Sequence, residues 1–290
     1  MFVMHHLELL LCLLAQKLAF ASVLKRVVDM NEPLDSHPLE VRGSYNRPVL
    51  DCSSEVQYLD LGSYIIHSPN FDRHNPQNYT NDYNCSYILH NKASSGLLRF
   101  DCFDFQLEDS DGCSKDRLKV NYGNYRLQSC GEDTPPTVYY KSLSVNFVTD
   151  SSGTGTGFLC SVMAKRSTSG TGGLPCGEHS LAAGTYFLQS GNYPGNYGTN
   201  SVCVWFLVPK FAGDSMKFSC SSFDMISWDG SCKWDNMVVN GHKFCNTNPP
   251  PREDNPLVME WAAYVRYETP DLPDKVRQGF NCTVVVSANE

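Results

Sequence analysis

Beyond residue 21 the sequence lacks any apolar run of the about 20 residues that a membrane-spanning helix needs. No membrane insertion is therefore expected, and the C-terminal CTVVVSANE has no hydrophobic tail for a lipid anchor. Basic charge is also scarce, with 23 Lys and Arg against 31 Asp and Glu and a net charge of −8. Nucleic-acid phosphates demand clustered Lys and Arg, so no nucleic-acid partner is expected; basic proteins and cations remain compatible. Zinc is disfavoured by the absence of any Cys-x-x-Cys pair or closely spaced His/Cys set. Catalysis is disfavoured in the same way. There is no HExxH, no GDSG and no G-x-S-x-G, and the 8 His are scattered with no base matched to a Ser or Cys nucleophile. No amphipathic helix of useful length is legible either. The chain reads as a non-enzyme.

What the sequence does have is cysteine. Of 13, Cys12 lies in a segment that reads as a secretory signal peptide, residues 1–21. Leu7–Ala15 is its apolar run and Ala19-Phe20-Ala21 its small-x-small cleavage pattern. Residues 22–50, with Pro33, Pro38 and scattered charge, read as an exposed lead-in. The other 12 cysteines are Cys52, Cys85, Cys102, Cys113, Cys130, Cys160, Cys176, Cys203, Cys220, Cys232, Cys245 and Cys282. An even count in a secreted chain implies a disulfide framework.

Two stretches say nearly the same thing. Phe100–Val120 and Phe218–Val239 each run Phe-x-Cys-x-x-Phe, then a polar loop, then Cys-x-x-Asp and an apolar strand. Such self-similarity signals two copies of one domain. Apolar residues alternate at period two in Leu98-Phe100-Cys102, Leu143-Val145-Phe147 and Phe158-Cys160-Val162, and again in Met216-Phe218-Cys220 and Phe280-Cys282-Val284. Each set therefore lies on one sheet face, and many short strands of this kind favour an all-β sandwich. The expected boundaries are 51–164 for the first domain, 165–175 for a flexible Gly/Ser/Thr-rich linker and 176–287 for the second domain.

These residues resemble the CUB domain family. Ser190–Gly198 (SGNYPGNYG) followed by Cys203-Val204-Trp205 is similar to that family's SPNYPxxYP and C-x-W signature. The first copy offers Ser68-Pro69-Asn70-Phe71 and Cys85-Ser86-Tyr87; both copies have Cys-x-x-Asp and a closing Gly-Phe. The resemblance implies two tandem antiparallel, jelly-roll-like sandwiches. It implies the disulfides Cys52–Cys85 and Cys113–Cys130, then Cys176–Cys203 and Cys232–Cys245. Cys102–Cys160 and Cys220–Cys282 would be a third bridge in each domain, as in arthropod members. It also implies a calcium site in the first domain formed by Glu108, Asp116 and Asp150, with the supporting tyrosine falling near Asn75. Hard carboxylate oxygens are what calcium takes. In the second copy the site is expected to be lost, with Ile226 or Ser227 in place of the Glu, Tyr264 near the third acid's place, and Asp235 alone retained.

Asn78, Asn84 and Asn281 fit the N-glycan acceptor pattern. The expectation is a secreted extracellular binding or adhesion module, engaging a protein ligand through a Lys or Arg at calcium-organised loops. Alternatives are a regulator or decoy related to CUB-containing proteases, and a carbohydrate-binding secreted protein.

Overall fold

The computed structural model describes residues 47–72, 75, 77–227, 232, 234–259, 261–272 and 276–288. The expected signal peptide and almost all of the lead-in lie outside these residues. The described residues fall into two compact units that divide between Ser167 and Thr168.

The first unit comprises β1 (Ser53–Leu59), β2 (Gly62–His67), β3 (Asn84–Asn91), β4 (Leu97–Gln106), β5 (Arg117–Tyr122), β6 (Tyr125–Ser129), β7 (Val138–Tyr140), β8 (Ser142–Val148) and β9 (Gly157–Ser167). One of its sheets has the order β1-β3-β8-β5-β6; the other runs β2-β9-β4-β7. The second unit repeats this element for element: β10 (Gly177–Leu181), β11 (Gly184–Gln189), β12 (Ser201–Pro209), β13 (Ser215–Asp224), β14 (Asn236–Val239), β15 (His242–Phe244), β16 (Leu257–Met259), β17 (Ala263–Glu268) and β18 (Gly279–Ser287). Its sheets run β10-β12-β17-β14-β15 and β11-β18-β13-β16. The fold is all-β.

Burial follows the period-two pattern. Along β8, Leu143, Val145 and Phe147 are buried while their neighbours are not, and β18 buries Phe280, Cys282, Val284 and Val286. In the first core Phe147 meets Phe158 edge-on at 5.1 Å, and in the second Tyr267 meets Phe280 at the same distance.

One detail departs from the fully antiparallel sandwich. β1 pairs with β3, and β10 with β12, in parallel. After β1 the chain crosses to β2 in the opposite sheet and returns as β3, so the two strands reach the same sheet pointing the same way.

Six disulfides close the framework: Cys52–Cys85, Cys102–Cys160 and Cys113–Cys130, then Cys176–Cys203, Cys220–Cys282 and Cys232–Cys245. Cys102 and Cys160 stand directly opposite on β4 and β9, as Cys220 and Cys282 do on β13 and β18. A register shift follows immediately in both, between Cys102 and Asp104 and between Cys220 and Ser222.

The 165–175 stretch differs from the expected linker. Lys165–Ser167 complete β9, and Lys165 is buried. After them, Gly170 N donates to Gln189 O at 3.0 Å and Leu174 N to Phe187 O at 2.7 Å, which lays the chain along β11. Tyr267 Oη donates to Thr168 O at 2.6 Å, and Trp205 Nε1 donates to Leu174 O at 3.0 Å. Gly and Ser permit flexibility, but here their backbone groups find partners on the second domain. The composition revealed none of those partners.

Candidate metal centre

The site is assembled at strand ends. Asp116 sits just before β5, and Asp150 lies two residues past β8. These strands are antiparallel neighbours in the register Arg117↔Val148, so the start of one and the end of the other meet at the same edge. Glu108 arrives from the end of β4, its chain held by Leu107 N donating to Gly131 O at 2.8 Å. Glu108, Asp116 and Asp150 each offer a carboxylate oxygen within 4.8 Å of the others, the one such grouping of potential ligands among the described residues.

Asp116 anchors the arrangement and is fully buried. Its Oδ2 accepts from Tyr79 Oη at 2.6 Å, and its Oδ1 accepts from Asp150 N at 2.8 Å. Tyr79 Oη in turn accepts from Glu108 N at 2.9 Å, so a single hydroxyl ties two of the acidic positions together. The Tyr79 phenol is pushed well above its usual range, first by burial and then by its bond to Asp116. Asp150 Oδ1 accepts from Ser152 N at 2.7 Å. The loop after Asp150 is pinned by Tyr79 N donating to Gly155 O at 3.2 Å and Asp82 N to Asp150 O at 2.7 Å. The supporting tyrosine is thus Tyr79, not a residue near Asn75. Asn75 is exposed, and its N–H donates to Asp72 Oδ1 at 3.3 Å.

Do these residues suit a hard cation? Glu108 Oε2 is buried and accepts no hydrogen bond from the described residues. At Gly153, with φ +72°, a Cβ would stand 2.3 Å from Glu108 Cδ, so any side chain there would be strained and would have to push the carboxylate aside. All side-chain donors are carboxylate oxygens. Their charge is partly offset by the half-exposed Lys115, whose Nζ pairs with Glu108 Oε1. The Lys115 pKa is raised by Glu108 first, and further by Asp150 and Asp116. The donor set fits calcium.

The second domain holds the same scaffold without the same acids. Asp235 is buried and accepts from Tyr197 Oη, and Ile226 N donates to Tyr197 Oη at 3.2 Å, as Glu108 N does to Tyr79. Ile226 therefore stands where Glu108 stands. The third position is Pro270, not Tyr264. Asn200 N donates to Pro270 O at 2.8 Å, matching Asp82 N and Asp150 O. Thr269 receives Ser201 N on its Oγ1 at 3.0 Å, matching Thr149 and Tyr83 N at 2.8 Å. Tyr264 lies back within β17, its ring 5.2 Å from that of Phe206. Asp235 retains the buried tyrosine partner.

The turn and closing motifs of the two domains are coupled. Phe158 N donates to Ser68 Oγ at 3.0 Å, and Phe280 N to Ser190 Oγ at 3.1 Å. A Cβ on Gly157 or Gly279 would lie 1.8 or 2.0 Å from those hydroxyls, and both glycines have positive φ. Any side chain at either glycine would collide with the serine it faces.

The family model of the CUB domain matches residues 52–161. The first domain is a CUB domain. Among proteins similar to the chain are the embryonic protein UVS.2 of Xenopus laevis, 29% identical over 197 residues, and cubilin of Homo sapiens, 31% identical over 167. These matches cover 65% and 55% of this chain but only 35% of UVS.2 and 4% of cubilin, so the chain corresponds to a minor part of either relative. An astacin-like metalloendopeptidase of Coturnix japonica is 27% identical over 124 residues, which span 40% of this chain and 29% of that protein. Among the described residues no helix is long and apolar enough to cross a membrane.

Of the expected glycan acceptors, Asn84 is exposed at the start of β3, while Asn78 Nδ2 donates to Thr154 Oγ1 at 2.9 Å beside the CUB domain's acidic loop. Asn281 is half-buried on β18. Its Oδ1 accepts from Gln189 Nε2 at 3.0 Å, and its Nδ2 donates to Ser221 Oγ at 3.2 Å.

Proposed function

We propose that the chain is a secreted, non-catalytic binding protein built from two CUB domains, the first of which engages an extracellular protein ligand through calcium-organised loops. The observation that carries this reading is the convergence of Glu108, Asp116 and Asp150 from three strand ends, with a buried Glu108 oxygen that no hydrogen bond from the described residues reaches. Glu108, Asp116 and Asp150 would hold the ion. Bound calcium would tie the loop after Asp150 to the end of β4 and leave the remaining carboxylate charge directed at a Lys or Arg of the ligand. The second domain, with Ile226 and Pro270 at the matching places, acts as a scaffold without calcium.

Calorimetric calcium titration of the whole chain tests this. Saturable binding of one ion is expected, abolished by Asp150→Ala; no heat at millimolar calcium would overturn the proposal. A second reading is favoured by the similarity to a metalloendopeptidase over part of the chain. In that reading the protein is a regulator related to CUB-containing proteases, and it would bind the same ligands as such a protease. Competition between this chain and a protease's own CUB region for a shared ligand separates that reading from independent adhesion.

A further inference from the structure

Lys115 immediately precedes the buried Asp116 and is held on both sides. Its N–H donates to Ser110 Oγ at 3.1 Å, and its carbonyl accepts from Arg117 Nη1 at 2.7 Å. This fixed backbone aims the side chain across the site to Glu108 Oε1. The ammonium therefore takes one of the two oxygens of an acid assigned to the metal, while the other, Oε2, remains buried with no hydrogen bond from the described residues. In the second domain the residue before the buried Asp235 is Trp234. At the position immediately before the buried aspartate, the lysine thus occurs in the domain that has the acids, and a tryptophan stands there in the other.

Resting on the calcium reading above, we propose that Lys115 is a tethered counter-cation that competes with the metal for Glu108, so that calcium loads by displacing it. The electrostatics require a choice. Three carboxylates gathered within 4.8 Å repel one another, and a lysine charge offsets part of that repulsion while no metal is bound. Once a divalent ion enters, the same lysine becomes a like charge beside it. The ammonium therefore steadies the metal-free loops and weakens the metal-bound ones. It is half-exposed, so it can swing into solvent when displaced.

The test is calcium titration of the whole chain beside Lys115→Met, Lys115→Arg and Glu108→Gln, with thermal melts in chelator and in saturating calcium. Lys115→Met is expected to bind calcium about fivefold tighter, the order of one unit charge at contact distance in water. It should melt lower than wild type in chelator, and the difference should vanish in saturating calcium. Lys115→Arg, which keeps the charge, should stay within about twofold of wild type. If Lys115→Met binds no tighter while Glu108→Gln weakens binding, competition is refuted and the calcium site stands. If Lys115→Arg tightens as much as Lys115→Met, charge is not the cause and the proposal fails. If neither wild type nor Lys115→Met binds, the calcium reading itself falls and takes this one with it.

Discussion

The two domains share a frame down to single hydroxyls, yet differ at the two positions that decide whether a cation has ligands. Tyr79 and Asp116 in the first domain correspond to Tyr197 and Asp235 in the second, and each pair is buried and hydrogen-bonded. Around them, Glu108 faces Ile226 and Asp150 faces Pro270 across the comparison. The tyrosine–aspartate pair persists without the other two acids, so it belongs to the fold: it joins the turn before β3, or β12, to the start of β5, or β14. The frame does not depend on the flanking acids. An aspartate retained at this place is therefore weak evidence for a metal, and the pair of flanking carboxylates is what discriminates.

The largest effects should show the frames to be equivalent. Replacing Cys102 and Cys160 together by Ala should cost about 2–5 kcal/mol, and so should the matched replacement of Cys220 and Cys282. The sequence separations, 58 and 62 residues, are nearly equal, so loop-closure entropy predicts closely similar losses. Guanidinium unfolding of the oxidised full chain, followed by probes in each domain, measures both. Costs differing by more than about 2 kcal/mol would show that the shared register hides different packing.

Next comes the buried aspartate that both frames share. Asp116→Ala strands two donors, Tyr79 Oη and Asp150 N, and Asp235→Ala strands Tyr197 Oη. Each stranded donor costs about 1–3 kcal/mol, so Asp116→Ala should destabilise the first domain by at least about 2 kcal/mol in thermal melts without calcium. A loss in either domain below about 1 kcal/mol would mean that the buried aspartate is not what holds that domain's tyrosine in place.

Much of this was legible in the sequence, and what was missed has a pattern. Glu108, Asp116 and Asp150 could be picked out through the resemblance to the CUB family, whose acids fall at fixed distances from a cysteine matched by Cys113 and at the end of the strand matched by Leu143-Val145-Phe147. Tyr79 was missed because counting through the loop after Ser68 landed on Asn75. Surface loops change length at little cost, so residue counts do not survive them. The shared Asn-Tyr of Asn78-Tyr79 and Asn196-Tyr197 was the signal available. Pro270 was missed for the same reason, yet Phe147-Val148-Thr149-Asp150 aligns without gaps on Tyr267-Glu268-Thr269-Pro270. The attachment of 168–174 to the second domain could not be read from the segment's composition, because most of what it contributes is backbone N–H and C=O, which any sequence possesses.

A smaller effect should appear in alkali, in both domains. The phenols of Tyr79 and Tyr197 are pushed above their usual range, by burial first and by the carboxylate they donate to second, and burial pushes Tyr87 up to about 12. A group whose pKa is raised on folding binds its proton more tightly in the native state. Its contribution is therefore complete below the unfolded value near 10 and falls as pH rises above it. Each such phenol should remove about 1.4 kcal/mol per pH unit in that window. Melts between about pH 9 and 11.5 should show both domains losing stability, with Tyr79→Phe and Tyr197→Phe each flattening the slope of its own domain. A slope changed by one substitution and not the other would break the equivalence of the two pairs.

The smallest expected effect is the most direct test of what separates the domains. In a chain whose first site is removed by Asp150→Ala, Ile226→Glu and Pro270→Asp together should create a weak calcium site around Asp235. The second change does two things. It supplies a carboxylate, and it restores the backbone N–H that proline lacks, the group that in Asp150 donates to Asp116 Oδ1. At a calcium concentration equal to the dissociation constant the stabilisation is only about 0.4 kcal/mol, so a calcium-dependent shift of the second domain's melt must be followed to saturation. Either change alone leaves two acids and should produce no saturable shift. If the double change also produces none, acids on the tyrosine–aspartate frame are insufficient. The loop closure against Glu108 that Gly153 permits in the first domain would then be a separate requirement, one that ligand identity cannot replace.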